Sequence, residues 1–487
     1  MYLHGTYGNF ADSISDIAEQ GSTVAVYVGV APVNLIQGSM AYTNYPLKLT
    51  SFEDAKKFTG YSPDWSSFGL CEALHLHFNG GEGNIGPIIA INVLDVTKHK
   101  AKSDTTETLS FVNGRAYIQS DTIIMDTLKL SGKTRNKDFT ADYDFANGRV
   151  VVASIGEAIT GTVEATYSTV DVSLVTEADV IGGITNGGEY TGLGCVSLLY
   201  QEHGLIPNMI LAPGWSCYPS VFRAMIAAAT NINGMWNAKV YADVPVVDGG
   251  TKIDTIDAAI KWVEDNGYDV TDTVTPFWPG SYGRDGNIYN TATVWAWRQM
   301  RVDAEHDGLP METASNKDAP ISGQYFGDDS ANWGFDVQGA NRLNAAGITT
   351  ICFYGGRWVL WGPHSGAYKH GKSTDPRVIF DSNTRMIMHV LNRFHADNAA
   401  IIDKPMTRAM ADTIKNREQE KIDAWAAMGA FIGTPVVEFV QSDNTAENMV
   451  NGDFVWRFRG TTTPAFKSGT LNAAYTTQGI NAYFEEV

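Results

Sequence analysis

The sequence predicts an α/β core with a mostly parallel or mixed sheet, an inserted all-β module, and an α+β C-terminal domain with extended terminal arms. Three observations carry this. Short apolar runs alternate with helical stretches from residue 23 to 96 and again from about 190. Between them, residues 101–170 hold none of the 17 prolines, none of the 12 tryptophans, no His and no Cys, but 11 threonines. After Pro376 come two long helical patterns, two short strands and a weakly alternating tail.

Residues 1–20 are polar and lack a clear period. Residues 23–30 (TVAVYVGV) form a strand that Ala31-Pro32 ends. Ser51, with Asp54 three residues on, marks a helix start resembling a capping box. Residues 65–78 form an amphipathic helix, and 87–94 (PIIAINVL) a buried strand. In the threonine-rich stretch, β-type runs recur at 116–118, 122–124, 149–153 and 161–167. Asn113-Gly114, Ser131-Gly132 and Asn147-Gly148 supply the turns. Strands then follow at 208–212, 238–242 and 274–278, with helices at 219–230 and 255–265. A helix at 337–346 precedes a strand at 348–354 that hairpins with 357–361. The last helices are expected at 380–398 and 407–428, and the last strands at 436–440 and 455–458. The domains are therefore a core of 21–98 and 176–370, an insert of 99–175, a C-terminal domain of 371–465 and an arm of 466–487.

The chain has 487 residues and a net charge of −19 from 35 basic and 54 acidic side chains. That balance argues against a nucleic-acid binder, which needs a basic face to displace counterions, and against electrostatic membrane binding. No apolar run approaches the roughly 20 residues of a membrane span. The opening stretch has neither the basic nor the apolar region of a secretory signal. Cys71, Cys195, Cys217 and Cys352 are scattered without a CxxC pair, which predicts buried thiols and no structural zinc.

Residues 366–373 (GAYKHGKS) fit the phosphate-binding pattern G-x-x-x-x-G-K-[ST]. On that reading Lys372 and Ser373 serve a nucleotide-binding enzyme. The chemistry needs a strand running into Gly366 and a helix opening near Gly371. Residues 362–365 intervene instead, and Pro376 falls in the first turn of the required helix. A basic loop with a chance match is the plainer reading. Residues 81–86 (GEGNIG) match a dinucleotide pattern in reverse order, after a helix and into a strand. His75 and His77 lie about 200° apart on a helix and cannot share an ion, so one is expected buried and one exposed. Asp303, Glu305, His306 and Asp307 read as a turn at a helix end. Lys404, Arg408, Lys415, Arg417 and Lys421 interleave with acids along one helix, either a solvated face or a charged docking face.

The ordered set of segments resembles the contractile tail sheath proteins of myophages and related contractile injection particles. The matching segments are 29–32 (GVAP), 205–214 (LIPNMILAPG), 242–245 (ADVP), 355–362 (GGRWVLWG), the helix from Asn383 to Phe394, and the extended tail. They cover about 21–96 and 180–487; the threonine-rich stretch matches no pattern.

The resemblance implies a non-enzymatic structural subunit without a cofactor. It would polymerise with itself in sixfold rings around a tail tube protein and contract to drive the tube through an envelope. Baseplate and tail terminator proteins would be its other partners, with no nucleic acid and no membrane insertion. It would reside in a virion tail assembled in the host bacterial cytoplasm. The 371–465 domain would face inward, making Lys404, Arg408, Lys415, Arg417 and Lys421 candidate tube contacts. Tyr2, Tyr7, Phe10, Leu471, Ala473, Tyr475, Ile480, Ala482 and Phe484 would lie in arms that add strands to neighbouring subunits. A baseplate component that does not polymerise is the other structural reading.

Overall fold

The computed structural model describes residues 23–80, 83–327, 334–477, 479–480 and 483. At its centre is a six-stranded sheet in the order Val274–Phe277, Lys239–Asp243, Met209–Leu211, Ala25–Gly29, Ile88–Asn92, Pro46–Leu49. The first five run parallel, and Pro46–Leu49 closes one edge antiparallel. Every residue of those five strands is buried. Both faces of the sheet are thus covered, which explains the near-continuous apolar runs. At the far edge, Phe277 bridges to Thr349. The chain continues there into the antiparallel hairpin Thr350–Tyr354 and Arg357–Trp361.

Local signals set several helix ends. The Ser51 hydroxyl accepts from the Asp54 N–H at 3.1 Å and caps Phe52–Phe58. Thr255 caps Ile256–Asn266, and Gly267 closes it at φ 73°. One helical expectation needs correction, and one helix went unread. The amphipathic helix expected at 65–78 starts at Leu70 and is buried on nearly every side, because it packs against both Ala25–Gly29 and Thr291–Ala304. Thr291–Ala304 itself escaped the sequence reading. Eleven of its 14 residues are buried, Trp295 and Trp297 among them, so no apolar stripe betrays it.

Within the threonine-rich stretch, strands between Thr105 and Tyr167 build a core of their own, whereas Ile124, Val170 and Val175 pack in the main one. Its two three-stranded antiparallel sheets combine Thr105–Phe111, Gly161–Tyr167 and Lys129–Leu130, and Arg115–Ile118, Arg149–Ser154 and Phe139–Asp144. Leu109, Ile118, Phe139, Val150 and Ala165 meet between them, joined by Leu35 from the main core. The turn at Asn113-Gly114 has φ of 52° and 74°, the positive pair a tight hairpin needs. Residues 122–124 are not a strand; Ile123 makes one isolated bridge to Thr169. Entry and exit are adjacent, with Lys100 bridged to Val170.

The C-terminal part consists of helices Asp381–Asn398 and Arg408–Ala427, a short Ala446–Asn451 helix and the antiparallel pair Phe431–Glu438 and Arg457–Thr462. Met386, Ile422, Phe431 and Val437 form its small core. Its first helix is moored in the main body by buried polar groups. The Asp381 carboxylate meets the Lys239 ammonium at 2.7 Å and accepts from Tyr241 and Thr275. One turn on, Arg385 pairs with Asp303, which also accepts from Thr23 and Gln299. Asn392 exchanges two hydrogen bonds with Asn237.

Candidate functional site

The Arg408–Ala427 helix divides the five cations named from sequence. Arg408 and Lys415 are seven residues apart and share a face, whereas Arg417 lies about 180° from Arg408. Arg408 is exposed, pairs with Asp412 at 2.9 Å and lies over the Phe439 ring. Lys404, in the preceding loop, is exposed too, and Lys415 is half-buried. No ion pair to another described residue involves Lys404 or Lys415. Arg417 and Lys421 face the other way. Arg417 donates to the Asn398 side chain, and Lys421 pairs with Asp397 at 2.8 Å and with Glu418. These two cations join the two long helices, so placing them on one docking face with the other three needs correction. Spacing along the sequence showed the interleaved charges; only the helical phase and the position of Asp397 separate them.

A two-stranded sheet has two edges, and here they differ. Along Phe431–Glu438 the Gln419 side chain acts as a further strand residue. Its amide N–H donates to the Pro435 carbonyl at 3.1 Å, and its oxygen accepts from the Val437 N–H at 2.7 Å. Along Arg457–Thr462 no described residue pairs with the outer edge. Beyond Thr462 the chain runs without regular structure to residue 476. Phe466, Leu471 and Tyr475 are 90, 91 and 87% exposed. Ala473 and Ile480 are exposed as well. Tyr2, Tyr7, Phe10, Ala482 and Phe484 lie outside the described residues.

The Gly366 loop lacks the phosphate-site geometry. Its backbone N–H donates to the Val274 carbonyl at 2.8 Å, and a Cβ there would meet the Tyr268 carbonyl at 2.8 Å. Gly366 therefore serves close packing against the sheet edge. No helix opens at Gly371; the next, Pro376–Ile379, is four residues long. Lys369 pairs with Asp269 at 2.8 Å.

The remaining polar candidates are structural. His77 is buried between the Tyr27 hydroxyl and the Ile85 carbonyl, and burial pushes its pKa down to about 4. The exposed partner expected beside it, His75, is instead half-buried and faces Asp285 at 3.3 Å. Asp303 does end a helix as expected, but as the buried partner of Arg385. His306 sits beside Glu312 at 2.6 Å. Cys71, Cys195 and Cys352 are buried and Cys217 is half-buried, all as free thiols. Among the described residues no group of three His, Cys, Asp or Glu could hold a metal, and no helix is long and apolar enough to cross a membrane.

No protein-family model matches the chain. A tail sheath protein of Burkholderia phage BcepMu is 24% identical over 98% of this chain and 97% of its own length. The chain is a relative of tail sheath proteins. A prophage protein of Pseudomonas aeruginosa, named for the major tail sheath, is 23% identical over 62% of the chain and 73% of its own length. Two solved structures share the fold. A chain of the anti-feeding prophage baseplate aligns with a TM-score of 0.55 at 11% identity, over 97% of this chain and all of that one. A chain from the contracted sheath complex of an extracellular contractile injection system aligns with a TM-score of 0.53 at 9% identity, over 98% and 100%.

In this sheath relative, the sequence reading missed Lys239, Gln299, Asp381 and Arg385 of the mooring, and had Asp303 only as part of a helix-end turn. Lys239 stands among apolar residues in its strand, whereas the others sit in polar helical stretches. The signal is weak but real, since a Lys opening the strand Lys239–Asp243, all of it buried, demands a carboxylate from elsewhere.

Proposed function

We propose that this chain is a structural subunit of a contractile sheath, polymerising with itself around a tail tube and contracting to drive that tube through a cell envelope. The observation that carries this is similarity to a tail sheath protein along almost the whole of both chains. The exposed 466–477 segment and the unpaired Arg457–Thr462 edge support assembly by strand exchange between copies. Main-chain hydrogen bonds would then tether neighbours while the folded bodies move. Sixfold rings, a tube protein, and baseplate and terminator proteins are the partners in this reading, without nucleic acid, membrane insertion or cofactor. Assembly would take place in the host bacterial cytoplasm.

Negative-stain electron microscopy of the purified, concentrated protein tests the proposal. Hollow striated tubes are the expected result. Discrete particles at every salt and concentration would overturn polymerisation. They would favour a baseplate component, a reading the baseplate neighbour also suits. Deleting residues 471–487 is expected to leave a folded chain that no longer forms tubes. Tubes of the truncated chain would refute strand exchange by this arm.

A further inference from the structure

We infer that the outer edge of Thr105–Phe111, in the threonine-rich insert, docks a second copy of this chain: the two Thr105–Phe111 strands pair antiparallel across a two-fold axis. This pairing stands independently of the sheath reading.

Thr105–Phe111 pairs with Gly161–Tyr167 on one side only, in unbroken register over its whole length. The hairpin that follows it shows which backbone groups face outward. Val112 exchanges both main-chain bonds with Arg115, away from Gly161–Tyr167. Backbone direction alternates along a strand, so Ser110, Thr108 and Thr106 turn their N–H and C=O outward as well. The partner strand agrees: Glu164, opposite Thr108, gives its carbonyl to Ser131 on its own far side. Among the described residues no backbone group bonds the outward N–H or C=O of Thr106 or Thr108. Natural sheet edges are made unreceptive by Lys, Pro, bulges or covering groups. The insert has such cover at Phe139–Asp144, where the Ala141 carbonyl accepts from Gln37 and from Arg135, each at 3.2 Å. Thr105–Phe111 has no Lys, no Pro and no bulge. Its one charge, Glu107, is engaged by the Tyr167 hydroxyl at 2.9 Å.

The occupant follows from the strand's own sequence, which complements itself. With Thr106 set opposite Thr106, Asp104 stands opposite Thr108 and Glu107 opposite Thr105. Outward groups then meet outward groups, so Thr106 with Thr106, and Asp104 with Thr108, exchange both main-chain hydrogen bonds. No acid faces an acid, and Thr–Thr is a favourable cross-strand pair. Asp104 also carries its own cation, Lys100 at 3.1 Å. Thr106 and Thr108 are exposed, and this register keeps the incoming strand clear of Arg115, which blocks the edge at Val112. A two-fold contact is satisfied by two copies and closes, whereas the contacts of a ring or helix run head to tail. The edge therefore joins copies outside any ring lattice, as in tubes lying side by side.

Analytical ultracentrifugation and hydrogen exchange resolved to single amides, on the full chain dispersed over a range of concentrations, test this. A monomer–dimer equilibrium is expected. The Thr106 and Thr108 amides should slow about tenfold as the dimer forms, while Glu107, held by Gly161–Tyr167, is slow throughout. Thr106→Lys sets like charges face to face across the axis at an exposed site and should give a monomer with an unchanged melting transition. Thr106→Pro removes only an outward N–H and should do the same. A chain that stays monomeric at every concentration would overturn the pairing and leave the edge to a strand of a different protein. A dimer that both variants retain would overturn it too, as would a dimer in which Thr106 and Thr108 still exchange rapidly. Tubes are expected from Thr106→Lys as from the natural chain. Their loss in the variant alone would put this edge inside the sheath lattice and overturn the two-fold. A dimer in a chain that never forms tubes would still support the pairing.

Discussion

At the scale of single residues, the sheath relative stakes much on a few buried charges. Lys239 and Asp381 are both essentially inaccessible. Burial alone would raise the Asp381 pKa; the Lys239 ammonium and the Arg385 guanidinium bring it below the usual carboxylate value. Asp381→Ala strands the ammonium in the core and should cost about 3–5 kcal/mol, read as a lower denaturation midpoint.

A second buried pair behaves oppositely. Glu72 accepts from the Asn290 backbone and side chain, and Asp243 from the Ala292 N–H, both at the start of Thr291–Ala304. Burial, with the Asp243 charge adding, pushes Glu72 up to about 8; burial pushes Asp243 up to about 7. Both hold protons in the folded chain that the unfolded chain has released, so stability falls as pH rises through that range. His77, His364 and His389 are pushed by burial down to about 4, and they remove stability only as pH falls below about 6.5. From about pH 6.5 to about 7.5 the fall in melting temperature therefore belongs to the carboxyls; above that the four thiols, pushed up to about 12 by burial, add to it. Glu72→Gln should flatten it; an equal slope in the variant would refute the assignment.

At the scale of elements, the phase of Arg408–Ala427 separates the face of Arg408 and Lys415 from the interhelical pairs of Arg417 and Lys421. Reversing Arg408 and Lys415 to Glu should weaken association with tube protein at low salt and barely move the melting transition. Reversing Arg417 and Lys421 should do the opposite, since Asp397 and Glu418 lose their partners. Co-sedimentation and thermal denaturation of both double variants distinguish the two faces. Equal effects on docking would mean that the interhelical pairs open on assembly. The mooring of Asp381–Asn398 through Asp381, Arg385 and Asn392 likewise makes this helix a rigid extension of the core.

At the scale of the whole molecule, the insert is an appendage with its own core. Its ends meet where Ala101 donates to Thr169 at 2.8 Å. It meets the main body through Asn34 to the carbonyls of Asp121 and Ile123, Gln37 to the Ala141 carbonyl, the Gly38 N–H to Asp126, and Ser62 to Asp121; Leu35 reaches into its core and Ile124 into the main one. Replacing residues 102–168 by a short glycine-rich turn should leave a soluble chain with a cooperative melt. It should be weakened by about 3–5 kcal/mol from the lost Ile124 side chain and the uncovered Asn34 and Leu35. An aggregated product would show that the insert supports the core.

Elements whose cause is local were legible in the sequence. The covered strands are near-continuous apolar runs because both their faces are buried. Ser51, Thr255 and Gly267 mark helix ends because they satisfy backbone groups within one turn. Asn113-Gly114 makes a hairpin because its own conformation permits positive φ. The resemblance to sheath proteins rests on such local segments in order. What depends on residues far apart in sequence was not legible. The Thr291–Ala304 helix shows no stripe because tertiary packing surrounds it. His75 is half-buried because Asp285 arrives from 210 positions away. Gln419 reads as one more polar residue on a charged helix, and only the fold brings it to the edge that Pro435 and Val437 present. The sequence by itself thus determined the elements with local causes and their order. Tertiary structure alone decided which charges are spent inside the chain and which sheet edge stays open, because both depend on the direction a backbone or side chain faces once distant segments have met.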